Sequence, residues 1–236
     1  MAVFDEAEPN PTASSVVKGA AKARELGCEV IVGLGGGSIM DCSKAIAFSA
    51  CNEGDIFDYV YGRRKGAAAL PLILVPTTCG TGSEGNSFAV LTDDETKDKK
   101  SLRDNLVIAK ASIVDPELMK TMPKKVLASV GFDALCHCME AYVGKAASPM
   151  TDILALEGIR LLGENLAAVY EDYENQEGWC RISLASTLGG MVIGQAGVAA
   201  PHGLEHPASG LRNITHGRGL AALPPVICRH SVSAAP

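Results

Sequence analysis

The segment from residue 29 to residue 50 constrains the fold of this chain more than any other. Residues 29–34 form a short apolar run rich in β-branched side chains, which predicts a buried strand. A glycine loop, residues 35–38, follows at once, and residues 39–50 are typical of a helix with Ser38 as its N-cap and Asp41 in its first turn. This order predicts an α/β fold with an anion-binding loop at a helix N-terminus, although a tight turn in any α/β protein gives a similar pattern.

The next segments continue this α/β pattern. Residues 70–75 predict a second strand, and a hydroxyl-rich loop, PTTCGTGSE at residues 76–84, follows it. Residues 80–85 match G-x-G-x-x-G, but residues 86–91 then predict a strand where a dinucleotide fingerprint needs a helix. The hydroxyl groups still suit phosphate or ribose. A charged hairpin tip at 92–100 and short strands at 106–108 and 111–114 complete this part.

The second half of the chain has helical patterns only, at residues 124–130, 132–143, 151–173 and 177–196. We therefore predict a partial α/β domain at residues 1–116, with its anion-binding loop, and a helical domain at residues 117–236. The strands are few for a doubly wound sheet, and the last residues show no helix stop signal. These features favour a chain that is incomplete at both ends.

Composition argues against several classes of partner. The net charge is −6 without a long basic run, which argues against nucleic acid or an anionic membrane as partner. The longest apolar stretch, residues 67–76, is too short to span a bilayer, and the start of the chain does not resemble a signal peptide. Eight cysteines without a C-x-x-C pair predict reduced thiols and a cytoplasmic protein.

One helical segment carries two metal-binding side chains on the same face. Asp133 and His137 are four residues apart, so they form either half of a divalent-metal site or a simple helix-stabilising pair. His202, His206 and His216, three of the five histidines, follow later in the chain. Carboxylate and imidazole donors together suit Fe(II) or Zn(II).

A competing motif overlaps the histidines. His202, Glu205 and His206 spell H-x-x-E-H, the pattern of a zinc hydrolase with Glu205 as general base. That chemistry needs a helix, and Pro201 and Pro207, with Gly203, predict a poor one. Asp133 distinguishes the two hypotheses, because a dehydrogenase site needs this residue as a ligand and the hydrolase does not.

Three motifs resemble those of the iron-containing alcohol dehydrogenase family: GGGSIMDCSK at residues 35–44, PTTCGTGSE at 76–84 and GFDALCH at 131–137. The histidine segment continues the resemblance in the same order. The resemblance implies a dehydroquinate synthase-like fold, in which an α/β nucleotide domain precedes an all-α metal domain and the active site lies in the cleft. It also implies four metal ligands: Asp133, His137, His202 and His216. The implied cofactor contacts are Gly36, Gly37, Ser38, Asp41, Thr77, Thr78, Thr81 and Lys99.

The same resemblance implies an NAD- or NADP-linked oxidoreductase that uses Fe(II) or Zn(II). It would pass a hydride between a small primary alcohol, or its aldehyde, and nicotinamide, with His206 as a non-ligand histidine near the substrate. The sequence leaves the oligomeric state undecided, with a homo-oligomer as one alternative. The sequence departs from the family at Pro201, Gly203 and Thr215, which neighbour the ligands. A further alternative is a metal-binding fragment, poorly soluble and about a hundredfold less active than a longer parent, because reactants that are held out of place react slowly.

Overall fold

The computed structural model describes residues 1–96, 98–212 and 214–234. These residues form two compact units. The first unit contains Met1–Thr77 and Ser83–Val114, and the second contains Thr78–Gly82 and Asp115–Pro236. An α/β region with a parallel sheet thus precedes an all-helical region, as the sequence predicts. The domain boundary between residues 116 and 117 stays a prediction.

The first unit is built on two small sheets. A parallel sheet has the strand order β1-β2-β5, and β3 pairs with β4 as an antiparallel hairpin. Three helices, α1 to α3, accompany them. The bounds are α1 Ala13–Glu25, β1 Ile31–Gly35, α2 Gly37–Cys51, α3 Ile56–Val60, β2 Leu72–Pro76, β3 Phe88–Thr92, β4 Lys99–Arg103 and β5 Ala111–Ser112.

Local sequence explains where these elements begin and end. Thr12 caps α1 by accepting a hydrogen bond from the Ser15 amide, and Gly27, at φ +59°, ends the helix region in the left-handed conformation. The apolar run before the glycine loop becomes β1, which pairs in register with β2 from Ile31 opposite Leu72 to Gly35 opposite Pro76. Both strands therefore end at the same edge of the sheet, where the glycine loop lies.

Two sequence predictions for this unit are wrong. Gly36, and not Ser38, is the N-cap of α2, so Ser38 lies inside the first turn and Asp41 lies beyond it. Residues 106–108 do not form a strand, because Asn105–Val107 is a 3₁₀ turn. The Asp104 carboxylate accepts a hydrogen bond from the Leu106 amide and so stabilises this turn over an extended conformation.

The second unit contains seven described helices. Their bounds are α4 Pro116–Met119, α5 Lys124–Val143, α6 Pro149–Glu171, α7 Gln176–Ala196, α8 Ala200–Arg212, α9 His216–Ala222 and α10 Pro224–Ala234. A capping box of Ser148 and Thr151 starts α6. The helix α5 packs against α6, α7 and α9, which places its buried face at the centre of the unit.

The helix α5 is continuous where the sequence pattern predicts two helices. Gly131 lies at the predicted break, but it serves close packing and not a turn, since a Cβ there would lie 2.4 Å from a methyl group of Leu166. Length and composition alone would let α5 cross a membrane. Half of it is buried inside the unit, however, and its inner face carries Asp133, His137 and Glu140, as in the core helix of a globular domain.

Candidate metal centre

Three helices of the second unit bring the predicted metal ligands together. The helix α5 supplies Asp133 and His137, α8 supplies His202, and α9 begins with His216. We call these four residues the Asp–His cluster. The i, i+4 spacing on α5 directs Asp133 and His137 to one buried face, toward the other two histidines.

The side chains of the Asp–His cluster converge on one oxygen atom. The distance from Asp133 Oδ1 to Nε2 is 3.2 Å for His202, 3.5 Å for His137 and 3.5 Å for His216. The donor atoms of Asp133, His202 and His216 all lie within 4.8 Å of one another. The ring of His137 stacks on that of His202, with 4.7 Å between the centroids. The structure thus brings Asp133, His202 and His216 together as one group of donor atoms, whereas His137 lies outside that group and approaches it through Asp133 and its stacking on His202.

The opposite nitrogen of each imidazole contacts a hydrogen-bond acceptor. His202 Nδ1 lies 2.6 Å from Glu140 Oε1, His216 Nδ1 contacts Glu205 Oε2, and His137 Nδ1 lies 3.3 Å from the Gly80 carbonyl oxygen. An ionised carboxylate and a backbone carbonyl only accept, so each Nδ1 carries the proton. Each Nε2 is thereby the atom left to bind a cation, which is the usual arrangement of metal-ligating histidines.

The charges in the cluster also suit a divalent cation. Burial would raise the pKa of Asp133, but the three histidines outweigh it and hold the pKa well below its ordinary value. Burial lowers the pKa of His202 and His216, yet hydrogen bonds to Asp133, Glu140 and Glu205 outweigh it and raise the pKa to about 9 and about 10. Burial lowers the pKa of His137 to about 4.

The raised pKa values of His202 and His216 thus place two positive charges next to the Asp133 carboxylate at neutral pH. A divalent cation brings the same two positive charges when it displaces those protons. The donor set, the histidine tautomers with the proton on Nδ1 and Nε2 directed at Asp133, and the charge together fit Fe(II) or Zn(II).

His206 lies beside this cluster on α8. Its ring centroid is 5.7 Å from that of His202 and 5.3 Å from that of His216, and its side chain is half-buried. Glu205, His206 and His216 form a second group whose candidate donor atoms lie within 4.8 Å of one another. The sequence-based role of His206 as a non-ligand residue near the substrate stays a prediction.

The prediction of a poor helix at residues 201–207 is wrong, because α8 runs from Ala200 to Arg212 with Pro207 inside it. Pro201 lies in the first turn, where its fixed φ is tolerated. The objection to the hydrolase hypothesis that rested on helix-breaking residues therefore fails. A different observation counts against it: Glu205 bonds to His216 Nδ1, so its carboxylate is engaged in holding an imidazole.

Sequence reasoning missed the three acceptors that hold the histidines. Helix periodicity could have identified Glu140, since it lies seven residues after Asp133 and three after His137 and so shares their helical face. It also accepts hydrogen bonds from the amides of Ala199 and His202. The Gly80 carbonyl and the contact of Glu205 with His216 depend on tertiary structure and left no signal in the sequence.

The predicted cofactor residues divide between the two units. Gly36 and Gly37 start α2, the Ser38 hydroxyl accepts a hydrogen bond from the Asn10 amide, and the Thr77 amide donates to the Gly35 carbonyl at 2.9 Å. These residues lie together at the edge where β1 and β2 end. Lys99 starts β4 in the other sheet. Thr78 and Thr81 belong to the loop Thr78–Gly82 of the second unit.

Asp41 forms hydrogen bonds within the first unit. Its Oδ1 accepts from the Ser83 hydroxyl at 2.6 Å, and its Oδ2 accepts from the Val90 amide at 2.9 Å. Burial raises the pKa of this carboxyl group, with Lys44 and Ser83 acting in the opposite direction. Both oxygens of Asp41 thus fix α2 to the segment that precedes and forms β3.

Comparison with known proteins identifies the family. The model of the iron-containing alcohol dehydrogenases matches residues 1–116, and the model of the C-terminal domain of the Fe-containing alcohol dehydrogenase family matches residues 127–236. This chain belongs to the iron-containing alcohol dehydrogenase family. Its members are oxidoreductases, and the hydrolase hypothesis is dropped.

Individual relatives agree with this assignment. Alcohol dehydrogenase 4 of Saccharomyces cerevisiae is 38% identical over 225 residues, which cover 95% of this chain and 59% of the yeast protein. The crystal structure of a 1,3-propanediol oxidoreductase superposes with a TM-score of 0.94 at 37% identity, over 100% of this chain and 62% of that one.

A further solved relative is a sulfoacetaldehyde reductase from Bifidobacterium kashiwanohense in complex with NAD⁺. It superposes with a TM-score of 0.89 at 31% identity, over 93% of this chain and 59% of that one. This chain thus spans about 60% of the length of these relatives.

Proposed function

We propose that this protein is a metal-dependent, NAD- or NADP-linked alcohol dehydrogenase and aldehyde reductase for small primary alcohols. One observation carries the proposal: three imidazole Nε2 atoms face a single Asp133 oxygen, and every Nδ1 is held by an acceptor. Family membership and the variety of related enzymes, which include a propanediol oxidoreductase and a sulfoacetaldehyde reductase, support the reaction class and leave the particular alcohol open.

We assign Asp133, His137, His202 and His216 as the residues that hold the metal. Fe(II) or Zn(II) held by these residues would supply Lewis-acid polarisation of the substrate oxygen. The protein contributes the fixed tautomers and a buried setting in which electrostatic interactions are strong. We assign to His206 the exchange of a proton with the substrate hydroxyl as general base and acid, which its half-buried position next to two of the proposed ligands supports.

We assign the cofactor to the glycine loop and the hydroxyl-rich loop. The backbone of Gly36 and Gly37, with Ser38, offers amide donors at the N-terminus of α2 for a pyrophosphate. Further polar contacts come from Asp41, Thr77, Thr78, Thr81 and Lys99. NAD or NADP held by these residues would supply the hydride acceptor for the alcohol and the hydride donor for the aldehyde.

We also propose a cytoplasmic location, supported by the eight cysteines, none of which is in a disulfide in the described part of the chain, and we propose homo-oligomerisation as well.

The test is a spectrophotometric assay of cofactor reduction with a series of small primary alcohols. The protein is first loaded anaerobically with Fe(II) or Zn(II), and binding of metal and cofactor is verified separately. We expect turnover that requires metal and that His206→Ala lowers by about a hundredfold, within the usual range for a general acid–base residue. An absence of turnover with metal and cofactor both bound would contradict the proposal.

A further inference from the structure

Glu205 has an unusual position for a charged side chain. It lies on α8 with 1% of its surface exposed, and its Oε2 contacts Nδ1 of His216, the first residue of α9. Its other oxygen, Oε1, is buried and has no hydrogen-bond partner among the described residues. A buried carboxylate with one unsatisfied oxygen is costly, so a chain that carries one needs a compensating reason.

The contact with His216 supplies that reason. The carboxylate accepts from Nδ1–H, which fixes both the tautomer and the orientation of the ring and leaves Nε2 facing Asp133 at 3.5 Å. We propose that Glu205 is a positioning residue, which acts through His216 to raise the affinity of the Asp–His cluster for its metal and is itself neither a ligand nor a general base. This inference rests on the ligand set proposed above.

The same relation recurs at the other histidines, which supports a shared role for the three acceptors. Glu140 Oε1 lies 2.6 Å from His202 Nδ1, and the Gly80 carbonyl oxygen lies 3.3 Å from His137 Nδ1. His216 is the most exposed of the three ligand histidines, with a third of its side chain accessible. Because the surrounding protein confines this ring least, we expect Glu205 to matter for its orientation.

Packing also holds Glu205 in place. A Cβ at Gly219 on α9 would lie 2.9 Å from both Cγ and Oε1 of Glu205, so only glycine leaves room for the carboxylate where it is. On α8, by contrast, a Cβ at Gly203 would meet no atom within 4 Å. These two helical glycines therefore provide a matched pair: Gly219→Ala displaces Glu205 without changing it, and Gly203→Ala disturbs nothing nearby.

A second cation held by Glu205, His206 and His216 is the rival interpretation. It requires Glu205 to use an oxygen as a ligand and His216 to offer a nitrogen to each of two ions. Because Glu205 Oε2 and His216 Nδ1 already contact one another, the geometry favours positioning. The substitution Glu205→Gln separates the two interpretations, since glutamine keeps an acceptor for Nδ1–H but is a much weaker metal ligand.

The experiment measures Zn(II) stoichiometry and affinity by competition with a chromophoric chelator, in the full chain and without any activity readout. We expect one Zn(II) per chain, a loss of about 10- to 100-fold in affinity for Glu205→Ala, and near-native affinity for Glu205→Gln. Gly219→Ala should weaken binding in the same direction, and Gly203→Ala should not. Thermal unfolding of each metal-free variant checks that it is folded.

A double-mutant cycle tests whether Glu205 acts through His216. In a His216→Ala background, Glu205→Ala should change Zn(II) affinity by less than about twofold, because the group it positions is gone. An equal loss in both backgrounds, a glutamine variant as weak as the alanine variant, or two Zn(II) ions per chain would overturn the inference. Wild-type protein that binds no Zn(II) would refute the proposed ligand set as well, whereas wild-type binding with an additive cycle would refute only the role of Glu205.

Discussion

At the scale of single residues, Lys44 is a buried charge in the first unit, apart from the Asp–His cluster of the second unit. Lys44 on α2 is fully buried, and its Nζ donates to the Asn86 side-chain oxygen at 3.0 Å and to the Phe88 carbonyl at 2.6 Å. Burial lowers its pKa from an ordinary 10.5 to about 8, although Asp41 and Glu84 act to raise it. This one ammonium group thus links α2 to the segment that leads into β3.

Lys44→Met is expected to lower the free energy of unfolding by about 2 kcal/mol at pH 7, because the hydrogen bonds from the ammonium group to Asn86 and to the Phe88 carbonyl are lost. The pH dependence has a defined sign. Between pH 8 and 10.5 the unfolded chain binds the lysine proton more strongly than the native chain, so the contribution of Lys44 to stability rises with pH in that interval. Urea unfolding at several pH values should show a difference between wild type and variant that grows above pH 8. Parallel pH profiles would contradict this account.

The residue scale also shows what a sequence can and cannot reveal about this site. Asp133 and His137 were recognisable because helix periodicity places positions i and i+4 on one face. Gly80 and Glu140 were not recognised, and Glu205 was singled out only as the general base of the hydrolase hypothesis, since a role as acceptor depends on which nitrogen of a distant histidine the group meets. The ligand assignments and the cofactor contacts stay predictions, which follow from the resemblance and from this geometry.

At the scale of elements, the helix α7 and the loop Thr78–Gly82 approach unusually closely. Gly82 has φ +58°, and a Cβ on Gly190 would lie 1.9 Å from the Gly82 carbonyl oxygen. The same loop carries the Gly80 carbonyl that meets His137. The close approach of two glycines thus sets the position of an acceptor for the Asp–His cluster.

We expect Gly190→Ala to cost about 2 kcal/mol in unfolding free energy, a typical cost of overpacking, and to weaken Zn(II) binding through displacement of the loop. Gly189→Ala is the matched control on the same helix, because its Cβ would meet neighbours only at an ordinary 3.4 Å. That variant should keep its metal affinity and gain slightly in helix propensity. Equal stability and affinity of the two variants would argue against the role of the close approach.

The helix α8 shows tertiary structure overriding propensity. Pro207 lies inside it, and without an N–H it cannot donate to the Gly203 carbonyl. The buried contacts of His202 and Glu205 nevertheless stabilise a helix that the local sequence disfavours. The sequence pattern predicted a poor helix here because proline and glycine disfavour a helix locally. The contacts of His202 and Glu205 that offset this preference involve residues of α5 and α9, which lie outside the local sequence of α8.

Pro207→Ala is expected to raise the free energy of unfolding by about 1 kcal/mol, since the regained hydrogen bond outweighs the greater flexibility of the unfolded chain. Pro149→Ala is the control: this exposed proline lies in the first turn of α6, where proline is well suited, so its replacement should bring no gain. Urea unfolding compares them. A loss of stability for Pro207→Ala would show that the proline packs more favourably than this account assumes.

At the scale of the whole molecule, the order of an α/β unit before a helical unit followed from the sequence, because apolar runs with glycine loops give way to helical periodicity near residue 116. Element types were largely predictable in the first half, where turn residues separate the elements. The helices α8, α9 and α10 were not predicted, since glycine and proline obscure their periodicity. The proposed reaction class rests on family membership, and the proposed metal site rests on side-chain geometry.

The central claim is that Asp133, His137, His202 and His216 together hold one divalent metal. Its most direct test is a Zn(II) affinity measurement on the metal-free chain and on five single alanine variants, those of the four ligands and of His206. We predict one Zn(II) per chain and unchanged affinity for His206→Ala. Each ligand variant should lose at least about a hundredfold in affinity, which exceeds the loss expected when a residue that only orients a ligand, such as Glu205, is removed. A chain that keeps its affinity without His137 or Asp133, and loses it without His206, would contradict the account.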